Sequence, residues 1–323
     1  MKELERIDRF SAHSPDELRR MVKMALLSGA IELLSVDTDE EWSAKIKVKY
    51  EGLRQCLVSR VKLPTRDILA DSVIRPEMVA FLASREAIRR LRGGAKVGLS
   101  GGTTLARFVD FLPHGSPDLA GIKWYALLAT KRTPSIGTSA ANDVLARVTY
   151  NHPGSEGFRL PFIAQEQRSS AARSKAFGHT REQLDLAYRL LGEIQEVQEV
   201  ILSLGSAEYN YRQSNYYMGL EQLGSLLNGL EDSDRVQLAG DILLQLVDRE
   251  GNRFGSTTFQ RKNDRLVFSV GLNGLKQIAT NNNVWALVTR ESKALVARAS
   301  VKGGYVNGLI LDNWVAKRLD ELP

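Results

Sequence analysis

The sequence predicts an α/β protein: a mainly parallel sheet flanked by helices, preceded by a short helical segment. Three observations predict it. Short apolar runs recur without polar alternation, as strands buried on both faces require. Amphipathic stretches of helical period fall between many of them, the pattern of β-α-β units. The chain has 323 residues, 43% hydrophobic and 25% charged, enough for a sizeable core.

The elements follow in order. Ser14 suits a helix N-cap, Pro15 the first helical position, and Asp16 and Glu17 the first turn. Leu18, Met21, Val22, Ala25 and Leu26 then recur at helical spacing, and Gly29 ends the run. Residues 30–36 read as a short extended segment and 38–49 as a second helix. From about residue 55 strands and helices alternate. Strands are expected at 55–61, 95–100, 122–130, 158–164, 199–205, 241–248, 265–270, 283–289 and 306–312. Helices are expected at 76–92, closed by Gly93-Gly94, and at 103–111, 138–150, 180–194, 292–302 and 313–322. A hairpin turn is expected at Asp248 to Gly251, so an antiparallel ribbon should attach to the sheet. There is no internal repeat and no low-complexity tract.

Composition excludes several classes. No apolar run approaches the length that spans a bilayer, so a membrane protein is not expected. The charged start, MKELERIDRF, lacks the apolar core of a secretory signal, and the expected location is the cytoplasm. The single cysteine, Cys56, cannot form an internal disulfide, and four scattered histidines argue against a zinc site. Neither a metal nor a cofactor is expected. Lys and Arg total 44 against 38 Asp and Glu, a net charge of +6 that suits anionic ligands or nucleic acid without establishing either.

The strongest local signal is VGLSGGTTL, residues 97–105. An apolar strand runs into Gly101-Gly102, and a helix opens at Thr103-Thr104. Free backbone N–H groups and two hydroxyls at a helix start form a natural phosphate cradle. The Gly-Lys-Ser/Thr ending of a Walker loop is absent, and the same glycines would also serve a plain tight turn. Further signals lie at expected strand ends, where ligands of open α/β sheets sit: Gly205-Ser206, Gly240-Asp241, and the Thr289-to-Lys293 stretch. A lysine in the first turn of a helix makes sense if an anion is held there; otherwise it is a solvated side chain. Lys131 and Arg132, after the strand at 122–130, could clamp a second phosphate or a sugar hydroxyl, or sit in a solvated loop. Lys131 is also the candidate for a Schiff base with an aldehyde sugar. Tyr209, Tyr211, Tyr216 and Tyr217, with Arg212, could wall a polar ligand or form a packing ribbon. Arg85, Arg89 and Arg92 share one helical face, read as solvated, with a nucleic-acid or subunit contact as the lesser alternative.

These pieces, in this order, resemble the SorC/DeoR-type sugar-responsive transcriptional regulators, over residues 14–323. VGLSGGTTL matches that family's strand-loop-helix element, and EVILSLGS its central strand and Gly-rich loop. LAGDILLQLVDREGN and KALVARASVKGGYVNGLILD match two later stretches. The resemblance implies an effector domain at 54–323 with the fold of the sugar-phosphate isomerase and CoA-transferase-like group. It implies a phosphorylated sugar or related metabolite that alters oligomerisation and DNA affinity, hence a homo-oligomer with DNA and the effector as partners. Carried over by position, Gly101, Gly102, Thr103 and Thr104 form the phosphate loop, and Lys131 or Arg132 supplies a basic residue. Gly205 belongs to the central loop, Arg212 matches a basic position approximately, Asp241 accepts from sugar hydroxyls, and Lys293 holds phosphate. The chain departs from the family at Thr289-Arg290, where two glycines are usual, and at Gly101, where the family commonly has Trp or another residue.

The resemblance assigns residues 1–53 to a partial helix-turn-helix and linker. Residues 14–33 align with a recognition helix and wing, and Arg19, Arg20 and Lys23 are its clustered cations. Residues 1–35 carry six basic and six acidic side chains, a neutral balance unlike a DNA reader's. The thirteen residues before Ser14 leave no room for a full three-helix module. A regulator without turnover is the leading reading. The alternatives are a sugar-phosphate isomerase, for which Asp241 is the candidate base and His114, His152 and His179 read as surface residues, and a metabolite sensor that has lost DNA binding.

Overall fold

A computed structural model describes residues 38–60, 74–130, 140–163, 178–206 and 229–323, with a few further positions in 14–24 and at 226–227. Seven strands form one parallel sheet: β1 (Gln55–Val58), β2 (Lys96–Leu99), β3 (Lys123–Ala126), β5 (Glu156–Phe158), β6 (Glu199–Ser206), β10 (Asn283–Val288) and β11 (Gly308–Leu311). Their spatial order is β1-β11-β10-β6-β2-β3-β5. Two more strands, β7 (Leu238–Ile242) and β8 (Gln245–Asp248), extend the sheet as an antiparallel ribbon paired to the far end of β6. A separate antiparallel pair joins β4 (Leu128–Thr130) to β9 (Val267–Ser269).

The helices are α1 (Glu40–Lys49), α2 (Arg75–Arg90), α3 (Thr103–Phe111), α4 (Ala141–Asn151), α5 (Gly178–Ile194), α6 (Asp232–Gln237), α7 (Thr257–Asp264), α8 (Gly271–Asn281), α9 (Ala294–Lys302) and α10 (Asn313–Glu321). Helices α2, α3 and α4 pack in sequence, as do α9, α10 and α1. In α3, Leu105, Phe108, Val109 and Leu112 fall three and four residues apart and are all buried, the stripe that lays the helix on the sheet. Trp124, Val97, Leu202 and Ala286 on β3, β2, β6 and β10 form the centre of the core.

Local signals explain the helix starts. The Asp39 carboxylate accepts from Trp42 N at 3.2 Å, and the Ser256 hydroxyl accepts from Phe259 N at 3.3 Å. The Asp312 carboxylate accepts from both Trp314 N and Val315 N at 2.9 Å. Ser14 and Glu17 form a reciprocal capping box, Ser14 N donating to Glu17 Oε2 at 2.9 Å and Glu17 N to Ser14 Oγ at 3.2 Å. Helix α1 is fastened to α10: Lys45 pairs with Asp320 at 2.6 Å, the Tyr50 hydroxyl donates to Leu319 O at 2.6 Å, and Lys49 Nζ donates to Leu322 O at 2.6 Å.

The structure corrects several expectations. The run 241–248 is two strands, because the chain reverses at Leu243-Leu244, a pair that carries none of the usual turn residues. The turn at Asp248 to Gly251 exists, its Asp248 carboxylate accepting from Glu250 N and Asn252 N, but only an isolated bridge, Val247 with Arg253, follows it. The run 122–130 breaks at Leu127 into β3 and β4, and of the strand expected at 158–164 only Phe158 lies in a strand, as the last residue of β5, residues 159–163 being irregular. Helices α6, α7 and α8 lie in stretches not read as helical. His152 is buried rather than at the surface, edge-to-face with His114 at 6.4 Å between ring centroids. Burial, then the neighbouring His114, lowers its basicity. Cys56 is buried too, its thiol pushed up to about 12 by burial.

One ion pair is deeply enclosed. Arg107 Nε of α3 meets Glu77 Oε1 of α2 at 3.1 Å, with side chains 7% and 6% exposed. Removing one partner takes this counter-charge away from the other within the core. Glu77→Ala should therefore lower stability by about 3–5 kcal/mol in urea denaturation, while Glu77→Met combined with Arg107→Met should recover most of that loss.

Candidate functional site

The strand order reverses direction between β6 and β2. From β2 the chain builds outward through β3 to β5; from β6 it builds the other way through β10 to β11. Open α/β sheets bind ligands in the crevice at the carboxyl ends of strands flanking such a switch point. Gly101, Gly102, Thr103 and Thr104 follow β2, and Gly205 ends β6, so both flank it.

The loop after β2 is locked to β6 by two serines. The Ser203 hydroxyl donates to Gly101 O at 2.6 Å, and Ser203 N donates to the Ser100 hydroxyl at 3.0 Å. Gly102 has φ 125°, and a Cβ there would run into the Ser203 hydroxyl, so glycine is required twice over. Gly102 caps α3 without a side-chain acceptor, leaving the first N–H groups of the helix to the crevice. Thr104 is buried and Thr103 half-buried.

The ribbon brings Asp241 to the same place. Gly205 on β6 faces Asp241 on β7, which is 4% exposed. Its carboxylate accepts from Leu244 N at 3.1 Å across the hairpin turn. Leu243 and Leu244 have φ 52° and 63°, the left-handed region that costs a side chain about 1–2 kcal/mol per residue. The buried Asn263 holds this turn, donating to Leu244 O at 2.9 Å and accepting from Leu246 N at 3.1 Å.

The third wall comes from β10. A 3-10 turn, Glu291–Lys293, joins β10 to α9, and the Ser206 hydroxyl donates to Ser292 O at 2.5 Å, tying that turn to the end of β6. Arg290 opens the turn with φ 81° and ψ 127°, a strained conformation worth about 1–3 kcal/mol. It is held by Arg290 N donating to Asp312 Oδ2 at 3.2 Å. Thr289 beside it is buried. Lys293 is half-buried and caps α9. Among the described residues its ammonium makes neither hydrogen bond nor ion pair. Burial first, then the charge of Arg290, lowers its proton affinity to about 8, against the opposing pull of Asp241.

The segments that carry Gly101 to Thr104, Gly205, Asp241 and Lys293 are thus brought to the end of β6. Lys131, Arg132 and Arg212, the four tyrosines at 209–217, and Arg19 lie outside the described residues. Arg20 is exposed and Lys23 half-buried on the N-terminal helical segment. Arg89 is exposed and paired with Glu86 at 3.1 Å. Sequence reasoning singled out Ser206 beside Gly205 but missed Ser203 and Asp312. Their one signal was a polar residue where the strand pattern asks for an apolar one. No group of three or more His, Cys, Asp or Glu able to hold a metal occurs among the described residues, and no described helix is long and apolar enough to cross a membrane.

This mainly parallel α/β fold matches that of solved structures described as possible or putative sugar-binding domains of transcriptional regulators. In particular, the chain is similar to a domain of a possible sugar-binding transcriptional regulator from Arthrobacter aurescens TC1, with TM-score 0.66 and 19% identity, covering 89% of this chain and 99% of that one. It is similar to the full-length sorbitol operon regulator SorC from Klebsiella pneumoniae, with TM-score 0.66 and 16% identity, covering 88% and 82%. A DeoR family transcriptional regulator from Listeria monocytogenes gives TM-score 0.61 and 17% identity, covering 86% and 98%. The structural neighbours are therefore regulators of the group that the sequence motifs resemble. No protein-family model matches the sequence, and no curated protein is significantly similar to it.

Lys293 gives a pH signature. The folded chain binds its proton less tightly than the unfolded chain, whose lysine titrates at the ordinary 10.5. Stability from this group therefore rises with pH between about 8 and 10.5, and the penalty of burying the charge is full below that window. Lys293→Met should be more stable than the parent at pH 7, with the difference shrinking toward pH 10.5, measured as the gap between two urea denaturation series.

Proposed function

We propose that this chain is a sugar-responsive transcriptional regulator whose crevice binds a phosphorylated sugar without turning it over. The observation that carries the reading is the half-buried Lys293 ammonium, which makes no ion pair or hydrogen bond among the described residues, at a switch point that also offers open helix N–H groups and the buried Asp241 carboxylate. A buried charge is costly unless paired, so an anion supplied by a ligand completes the site. In this reading Lys293 takes the phosphate, the Gly101–Thr104 loop takes phosphate or hydroxyl oxygens, and Asp241 accepts from sugar hydroxyls. Gly205 keeps the end of β6 open to the ligand, and Lys131, Arg132 and Arg212 add cations from the neighbouring loops.

The regulator reading draws on the fold shared with the SorC and DeoR family proteins. The capped helical segment that begins at Ser14, with Arg19, Arg20 and Lys23, makes the DNA contact, and residues 54–323 sense the effector. The active form is a cytoplasmic homo-oligomer whose arrangement the ligand shifts, which demands different ligand affinity in the two arrangements.

A thermal-shift screen of sugar phosphates and their unphosphorylated parents tests this. A ligand at a hundred times its dissociation constant adds roughly 2.7 kcal/mol, a rise of several degrees in melting temperature. The expected result is a shift with phosphorylated sugars only, lost in Lys293→Ala and weakened in Thr104→Val. No shift with any phosphorylated sugar would overturn the reading of the crevice.

A further inference from the structure

The peptide between Gly101 and Gly102 has its carbonyl held twice. The Ser203 hydroxyl donates to Gly101 O at 2.6 Å from β6, and the hydroxyl of the buried Ser100 donates to the same oxygen at 3.0 Å. Ser100 in turn accepts from Ser203 N at 3.0 Å, so two serines and one carbonyl close a small network. A trans peptide points its C=O and its N–H in opposite directions. Pinning Gly101 O toward β6 therefore turns Gly102 N–H away from β6. That N–H makes no hydrogen bond among the described residues. Neither flanking residue enforces this orientation. A glycine on each side lets the peptide turn over by opposed rotations about ψ of Gly101 and φ of Gly102. Gly102 sits at φ 125° and ψ 153°, a region that only glycine enters freely. The loop's own sequence permits both orientations, and the choice is made by a serine 102 positions from the carbonyl it holds.

We propose that Ser203 is a positioning residue for phosphate binding: by holding Gly101 O it presents Gly102 N–H, beside the open amides of α3, as a donor to a phosphate oxygen. The proposal rests on the preceding reading that the crevice takes a phosphate group, and goes beyond it in assigning a residue that acts through the loop and not on the ligand. With the peptide turned over, the carbonyl would stand where the N–H now does, and a lone pair would face the anion in place of a donor. Backbone N–H groups bind anions only when they converge on one point, so the orientation of a single peptide decides whether the loop attracts or repels the ligand. Ser203 is placed for this duty by its strand. It is half-buried between the buried Leu202 and Leu204, on the one strand that pairs directly with β2 from the crevice side of the switch point.

The test compares the parent chain with Ser203→Ala and Ser203→Thr, using calorimetric titration with inorganic phosphate near neutral pH, melting temperatures of the free proteins, and amide spectra of 15N-glycine-labelled protein. Ser203→Ala should weaken phosphate binding about tenfold or more, the effect of one hydrogen bond to a charged group. Its free form should melt within about 4 °C of the parent, as the loss of one neutral hydrogen bond in a large chain implies. Ser203→Thr keeps the hydroxyl and should bind within about threefold of the parent. The Gly102 amide should shift on phosphate addition in the parent and in Ser203→Thr. In Ser203→Ala that response should be lost even at saturating phosphate, a change that loosened packing alone would not produce. If Ser203→Ala binds phosphate like the parent, the assignment is wrong and the phosphate-binding crevice stands. If it binds weakly while its Gly102 amide responds as in the parent, if it melts well below the parent, or if Ser203→Thr loses binding as fully, Ser203 is a structural residue and the assignment is again overturned. If the parent itself binds no phosphate, the reading of the crevice falls and the assignment falls with it.

Discussion

Strand β6 is longer than the strands beside it, and the site depends on that excess. Through Ser203 it pairs in parallel with β10 on one side, and through Ile201 with β2 on the other. From Leu204 onward it pairs antiparallel with β7. One strand thus serves as the centre of the sheet and as the first strand of the ribbon that carries Asp241. Its three serine and glycine positions divide the work. Ser203 holds the loop after β2, Gly205 pairs with Asp241, and Ser206 ties down the turn after β10. Side chains alternate faces along a strand, so a slip of one residue would send Ser203 and Ser206 to the wrong sides and separate all three walls of the crevice.

Much of this frame was legible in the sequence. Buried parallel strands write themselves as short apolar runs, and β2, β6, β10 and β11 each fall within one or two residues of the runs that announce them. Helices α3 and α5 were readable from their apolar spacing. The failures have physical causes. The reversal at Leu243-Leu244 is made by tertiary bonds to Asp241 and Asn263, against local preference, so no dipeptide signal marks it. The helix α8 stretch, GLNGLKQIATN, is rich in glycine and asparagine and has low intrinsic helix propensity; Leu272, Leu275 and Ile278 buried in the core hold it helical. His152 was misplaced because a lone histidine near a turn carries no sign of its burial.

The site residues divide along similar lines. Glycines and hydroxyls at a strand-to-helix junction have a local signature, and the loop after β2 was found by it. The lysine before α9 was singled out as a candidate because its charge opposes the ordinary preference at a helix start. Ser206 and Asp312 act on segments 86 and 22 residues away, and such partnerships exist only once the chain has folded. Both strained non-glycine stretches among the described residues, the Leu243-Leu244 turn and Arg290, border groups assigned to the candidate site. Strain of that kind persists only where the surroundings over-determine it, here through Asn263, Asp241 and Asp312.

The Asp312 carboxylate has two oxygens with two different duties. Oδ1 caps α10, and Oδ2 holds the backbone of Arg290 at the rim of the crevice. Helix α10 in turn carries α1 through Lys45, Lys49 and Tyr50. An unbroken run of covalent and hydrogen bonds therefore leads from the crevice to the segment where the chain enters the body from its N-terminal side. Asp312 is the pivot of that run: a rotation of its carboxyl group cannot serve one duty without being felt by the other. The turn at Arg290 and helix α1, far apart in sequence, are thereby geared through a single buried side chain.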